Sequence, residues 1–339
     1  MNLKIGCCGF PVSRKKYYEK FKTIELQQTF YSPPGLKTVK SWRDSAPAGF
    51  EFTLKALQVI THESKSPTYR KMKVKTDRAR KENFGSFKPT DEVYRAWEKT
   101  DRIAAVLRAK TIVFQCPPSF GPNRVNRNNL RKFFRTIKRK KYRLVWEPRG
   151  AWQNNEVRRL CGELGLVHCV DPFAGGALEG DIRYFRLHGI GGYRYRYKGW
   201  DLKRLRDFCE NEAKKIKKKP VYVFFNNFSM MTDALRFKWI VKNTGRIQEL
   251  DLVFLKDLCH EIDAEEEDEK VQKLSREAER IVSLILHTDY AKVDIEIEKT
   301  KLQELCRKMF PDKAYLYDMI YGQRFDRLWK QFRGKKEKL

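Results

Sequence analysis

Between Glu25 and Asn227 the chain places three acids, two histidines, a lysine and two arginines at or just beyond the ends of short apolar runs. The acids are Glu25, Glu147 and Asp171; the bases are His62, His188, Lys55, Arg149 and Arg186; Gln27, Gln115, Asn226 and Asn227 hold similar positions. Any one of them could cap a helix or pair with a neighbour. Recurring at run after run, they point to a shared site, because a charge in a packed interior costs several kcal/mol unless paired. Carboxylates with histidine suit a hard or borderline divalent cation such as Mg, Mn or Zn, and Glu25, Glu147 and Asp171 are the candidate ligands. Such an ion activates water and stabilises a phosphoryl transition state. No HxH or HExxH spacing is present, and no organic cofactor is expected. Lys55, Arg149 and Arg186 are suited to phosphate oxygens. His62 or His188 is suited to moving a proton, with Asn226 as a further polar group.

A second cluster reads Tyr193-Arg194-Tyr195-Arg196-Tyr197-Lys198. If extended, its tyrosines share one face and its cations the other. Rings beside phosphate-seeking cations are a common grip on single strands, so these six residues are candidate nucleic-acid contacts.

Eight short β-forming runs position the first cluster: Leu3–Cys8, Thr23–Gln27, Glu51–Ala56, Thr111–Cys116, Arg143–Trp146, Val167–Val170, Tyr184–Leu187 and Val221–Phe225. Helical patterns fit between them, as at Thr90–Arg108, Asn128–Arg139, Asn154–Glu163 and Leu202–Lys215. The alternation predicts an α/β fold with a parallel sheet, and eight units in this length favour a TIM-like (β/α)8 barrel over residues 1–247. Long insertions are expected at about 62–90 and 190–200. Residues 248–339 are predicted to form a small, mainly α-helical domain. It has helices over 250–286, Leu302–Phe310 and Leu316–Phe332, a short strand at Val293–Ile297, and an aromatic stripe of Tyr317, Tyr321, Phe325 and Phe332.

The chain has 339 residues and a net charge of +29. Residues 248–339 hold 18 basic and 21 acidic side chains, leaving 54 and 22 in residues 1–247, so the barrel carries +32. A field of that sign and size attracts polyanions, with nucleic acid the foremost. The eight cysteines form no CxxC pair and read as reduced core residues. No secretory leader is expected, because a strand pattern begins by Leu3, and no 18-residue apolar run is present. A cytoplasmic location is the expectation.

The same residues resemble the YecE-like family, domain of unknown function 72, in an archaeal-type form with a C-terminal extension. The matching motifs begin with Gly6-Cys7-Cys8-Gly9, Ile24-Glu25-Leu26-Gln27, Phe30-Tyr31, Trp42, Phe52–Ala56 and Thr61-His62. They continue with Gln115 and Pro117-Pro118, Glu147 and Arg149, Trp152, Asp171, Arg186–Gly189 and Phe225-Asn226-Asn227. The resemblance spans about residues 3–230 and implies a TIM-like barrel with its site at these positions. One departure stands at Glu147-Pro148-Arg149-Gly150, where the family often carries Glu-Phe-Arg-His; it makes a histidine-rich metal site less expected. The combined expectation is a nuclease cutting DNA or RNA, with a preference for single strands. A metal-dependent isomerase or lyase on a sugar phosphate would explain the site but not the barrel charge. A non-catalytic nucleic-acid-binding protein would explain the charge but leave the acids without a task.

Overall fold

The computed structural model describes residues 1–71, 78–139, 142–217, 219–243, 270–310, 317 and 321–333. The chain divides into two compact units, Met1–Ile247 and Gln248–Leu339.

The first unit is a barrel of eight parallel strands. They are β1 (Leu3–Cys7), β2 (Thr23–Leu26), β3 (Glu51–Lys55), β4 (Thr111–Gln115), β5 (Arg143–Glu147), β6 (Val167–Val170), β7 (Arg183–Leu187) and β8 (Val221–Phe225). Their order is β1-β8-β7-β6-β5-β4-β3-β2, so each strand lies beside its sequence neighbours, and β1 also lies beside β8. The ring closes weakly between β1 and β2, through a single bridge from Cys8 to Glu25 and a hydrogen bond from Gly9 N to Glu25 O at 2.8 Å. The Tyr17 hydroxyl is inserted in this seam, accepting from Cys7 N at 2.8 Å and donating to Thr23 O at 3.0 Å. It satisfies strand groups that would otherwise be buried and unpaired. Gly6 is required here, because a Cβ on it would lie 2.5 Å from Thr23 O.

Helices cover the barrel in chain order: α1 (Arg14–Lys20), α2 (Gln28–Tyr31), α3 (Leu36–Ser45), α4 (Gln58–Thr61), α5 (Asp91–Leu107), α6 (Arg124–Thr136), α7 (Asn154–Leu164), α8 (Gly199–Lys215) and α9 (Met230–Lys242). In α5, Val93, Ala96, Trp97, Thr100, Ile103, Ala104 and Leu107 recur at helical spacing and are buried. Asp91 and Glu92 complement the positive end of its dipole.

Period-two alternation sorts each strand's side chains. On β7, Phe185 faces outward to Phe208 of α8, with ring centroids 5.2 Å apart. Tyr184 lies with Cys8, Val113, Val145, Val167, Cys169, Ile182, Tyr222 and Phe224 in one buried cluster. The same alternation carries Glu25, Lys55, Glu147 and Arg186 to the inside, and all four are buried.

Each strand matches its sequence-based bounds within a residue or two. The basic insertion begins with two 3-10 turns, Pro67–Lys71 and Arg78–Asn83, and residues 72–77 lie outside the described residues. Seven cysteines are described, all buried and none in a disulfide.

In the second unit, residues 270–287 are helical (α10), followed by α11 (Lys292–Met309) and α12 (Gln323–Phe332). The strand expected at Val293–Ile297 is instead the first turns of α11. The alternation of Val293, Ile295 and Ile297 is misleading, because Ile295, Leu302 and Cys306 share one buried helical face while Val293 and Ile297 are exposed. In the aromatic stripe, Tyr317 and Phe325 are core and Phe332 is exposed. The acidic run 265–269 lies outside the described residues.

Candidate active site

The ends of β2, β4, β5 and β7 deliver their polar side chains to one network. Arg186 lies at its centre, with a side chain 0% exposed. Its Nη2 stands 3.1 Å from Glu25 Oε1, and its Nη1 donates to Glu147 Oε2 and, at 3.2 Å, to Gln115 Oε1. Glu25 also accepts from the Tyr184 hydroxyl at 2.8 Å and from Gln27 Nε2. Glu147 is held from above by Arg149, whose Nε donates to Oε1 at 2.9 Å. Burial pushes the Glu147 carboxyl up, but Arg186, Arg149 and His188 more than reverse this and hold it well below the usual carboxylate range. Burial opposes charge on Arg186 too, and Glu147 and Glu25 raise its pKa despite that.

His188 lies beyond β7 at the outer edge. Arg149 Nη2 is 2.5 Å from its Nε2, and Asp171 Oδ2 is 3.5 Å from its Nδ1. A guanidinium only donates, so Nε2 accepts and the neutral ring carries its proton on Nδ1, toward Asp171. Asp171 is fixed in turn by the backbone N–H groups of Phe173 at 3.0 Å and His188 at 2.9 Å. The result is a partly exposed base with an oriented tautomer.

Lys55 ends β3 with its Nζ 3.5 Å from the centroid of the Phe30 ring. Among the described residues the ammonium has neither a salt-bridge partner nor a hydrogen-bond acceptor. Burial, and then the Arg186 charge, lower its pKa to about 7. It is therefore a half-charged amine near neutrality rather than a permanent phosphate anchor.

His62 is buried, with Nδ1 2.8 Å from Thr61 Oγ1 and its ring edge-on to Phe30. Burial and the Lys55 and Arg149 charges lower its pKa to about 3, so it stays neutral. That packing role departs from the expectation that it handles a proton. Asn226 is half-buried after β8, while Asn227 is buried and ties Tyr195 O to Asp233 Oδ2, both at 2.7 Å.

The residues present do not fit a divalent cation on Glu25, Glu147 and Asp171. The Glu25 and Glu147 carboxylates enclose a guanidinium where the metal would sit. A dication about 4 Å from that fixed charge would meet about 8 kcal/mol of repulsion at an effective dielectric near 20. Asp171 spends both oxygens on backbone N–H groups. Among the described residues no group of three His, Cys, Asp or Glu side chains is placed to hold a metal.

The tyrosine cluster is not a ribbon. Residues 193–198 form a turn and an irregular segment. Tyr197 is 1% exposed, stacks on Phe173 and accepts from Gly189 N at 2.9 Å. Tyr195 donates to Asp201 Oδ2 at 2.7 Å. Hence the three tyrosines do not share a free face. Tyr193 alone is open, at 45% exposure, with its ring edge-on to His188. Arg194, Arg196 and Lys198 are exposed around it.

Sequence reasoning missed two exposed rings on the same side of the barrel. Phe228, 72% exposed, follows β8 and is tied by its backbone N–H to Tyr193 O at 2.8 Å. Trp200, 65% exposed, starts α8 with Lys198 Nζ 4.7 Å from its ring. Each follows a strand's C-terminal end, a position visible in the sequence. Their exposure was not. Tyr184 was also missed, although it lies two residues before Arg186 on the same strand face.

No curated protein matches the chain. Among solved structures, a DUF72 family protein of Thermotoga maritima MSB8 has 21% identity and a TM-score of 0.53, covering 71% of this chain and 100% of its own. A DUF72 family protein of Enterococcus faecalis V583 has 19% identity and a TM-score of 0.56, covering 71% of this chain and 97% of its own. At these identities the likeness establishes the fold alone. A family model described as "Protein of unknown function DUF72" matches residues 13–249, well over half of the chain, and the protein belongs to that family.

Proposed function

We propose that the protein is a nuclease that cleaves phosphodiester bonds in single-stranded nucleic acid. The observation that supports this reading is the setting of His188: a base that meets Arg149 at Nε2, with Asp171 3.5 Å from Nδ1 and holding its backbone N–H, with the exposed ring of Tyr193 against it and exposed cations around. A strand lying along this rim would stack a base on Tyr193 or Phe228 and place a phosphate near Arg149. His188 handles the proton, Asp171 orients it, and Arg149 binds the charge that develops on the phosphate oxygens. Glu147 positions Arg149, while Arg186 and Glu25 form the buried frame beneath. The barrel's +32 concentrates the polyanion around the rim.

The test is incubation of the full chain with labelled single- and double-stranded oligonucleotides of DNA and RNA, with and without chelator. Cleavage by the native protein, and binding without cleavage by Glu147→Gln, is the expected result. Binding should weaken steeply with salt, as counterion release requires. No cleavage of any strand, with or without Mg, Mn or Zn, would overturn the proposal.

A further inference from the structure

Breaking a phosphodiester needs a nucleophile made reactive beside the phosphorus. A dication on clustered carboxylates is one common way to make it from water. Here two buried carboxylates, Glu25 and Glu147, instead close on Arg186, whose side chain is fully buried. What remains partly exposed at the rim is a base and a guanidinium: His188 and Arg149. These can move a proton and hold an anion, and among the described residues no group of three His, Cys, Asp or Glu side chains is placed to hold a metal that would ionise a water.

We infer that the substrate is RNA and that the strand's own 2′-hydroxyl is the nucleophile, its proton taken by His188. The inference rests on the phosphodiester-cleaving reading above and narrows it. A nucleophile already on the ribose arrives with an effective concentration on the order of 10⁵ M or more, so a positioned base suffices. DNA lacks that hydroxyl and would bind the same rim without reacting. In the reaction, the 2′-oxygen forms a bond to phosphorus as the bond from phosphorus to the 5′-oxygen breaks. The hydroxyl proton passes to Nε2 of His188, from which Arg149 moves onto a phosphate oxygen. The leaving 5′-oxygen takes a proton from solvent water at the rim. The products are a 2′,3′-cyclic phosphate and a 5′-hydroxyl, and His188 returns its proton to solvent. The exposed rings of Tyr193 and Phe228 suit this substrate, since unstacked bases in single-stranded RNA are bound on such surfaces.

A labelled DNA oligonucleotide carrying one internal ribonucleotide tests this directly, alongside all-RNA and all-DNA strands of the same sequence. The expected result is one cut, 3′ to the ribose, insensitive to EDTA, with a cyclic phosphate end identified by mass. A 2′-O-methyl group on that ribose should abolish the cut. His188→Ala, prepared identically, should lose at least 100-fold in rate with its melting temperature and strand binding retained. Asp171→Asn provides a second variant if that one does not fold, with an expected loss of about tenfold or more. Comparable cleavage of the all-DNA strand, a 3′-hydroxyl end, or loss of cleavage in EDTA would overturn the RNA inference and leave the nuclease reading standing. Unchanged cleavage by a folded His188→Ala would overturn it too. Absence of cleavage on every strand would overturn both.

Discussion

Replacing Arg186 with Met removes the guanidinium that pairs with both Glu25 and Glu147. An ion pair at this separation is worth about 4 kcal/mol at an effective dielectric near 20. Glu147 retains Arg149 at 2.7 Å, whereas Glu25 keeps the hydrogen bonds of Tyr184, Gln27 and Cys8 but, among the described residues, no other salt bridge. The expected loss is therefore one uncompensated buried carboxylate, about 4 kcal/mol, within the usual range for breaking a buried pair from one side. For a barrel of this size that lowers the melting temperature by about 8–15 °C.

The loss also has a pH signature. In the native protein the Glu147 pKa lies below its unfolded value, so its stabilisation is present above about pH 4.5 and is lost as pH falls further, through the folded value. In Arg186→Met the Glu25 charge is left buried without a counter-ion, so protonating it relieves the fold. The variant's deficit should be larger at pH 8 than at pH 5. Urea unfolding followed by tryptophan fluorescence reads the barrel, because six of the seven tryptophans precede residue 248. Glu25→Gln combined with Arg186→Met should cost at least 1 kcal/mol less than the two single changes added, since the pair is coupled. A deficit under about 1 kcal/mol, equal at both pH values, would refute the view of Arg186 as the keystone of the network.

Lys55→Met should stabilise the protein near pH 7 by a few kcal/mol, because a folded pKa of about 7 against an unfolded value near 10.4 penalises the fold. The gain should shrink as pH rises from 7 to 10, where the unfolded lysine also loses its proton; a gain that is constant with pH would contradict burial as the cause. Phe228→Ala and Tyr193→Ala should each weaken single-strand binding about 5- to 100-fold without lowering the melting temperature. Tyr197→Phe should instead cost about 1 kcal/mol of stability and leave strand affinity unchanged, as measured by melting and by fluorescence anisotropy. Ile295→Ala should destabilise the second unit by about 2–5 kcal/mol while Val293→Ala does almost nothing, which circular dichroism melts of the full chain can separate.

Much of the barrel is legible in the order of residues. Short β-forming runs alternating with amphipathic helices leave few ways to bury both faces of each strand, and every run became a strand. The inward position of Glu25, Lys55, Glu147 and Arg186 follows from the same period of two. Local patterning failed where two periodicities overlapped, as at Val293–Ile297, where burial seven and eleven residues beyond Ile295 decided for helix. It failed again at Tyr193–Lys198, where tyrosine-cation alternation resembled a strand but Tyr197 found a buried partner in Phe173.

Which charged groups neutralise one another was beyond the sequence. Three carboxylates at strand ends are compatible with a metal until the ring closes and brings Arg186 of β7 between Glu25 of β2 and Glu147 of β5. That meeting spans 161 residues of chain from Glu25 to Arg186. It is set by the curvature of the barrel, because distances across a closed ring depend on every strand between, and no local spacing encodes them.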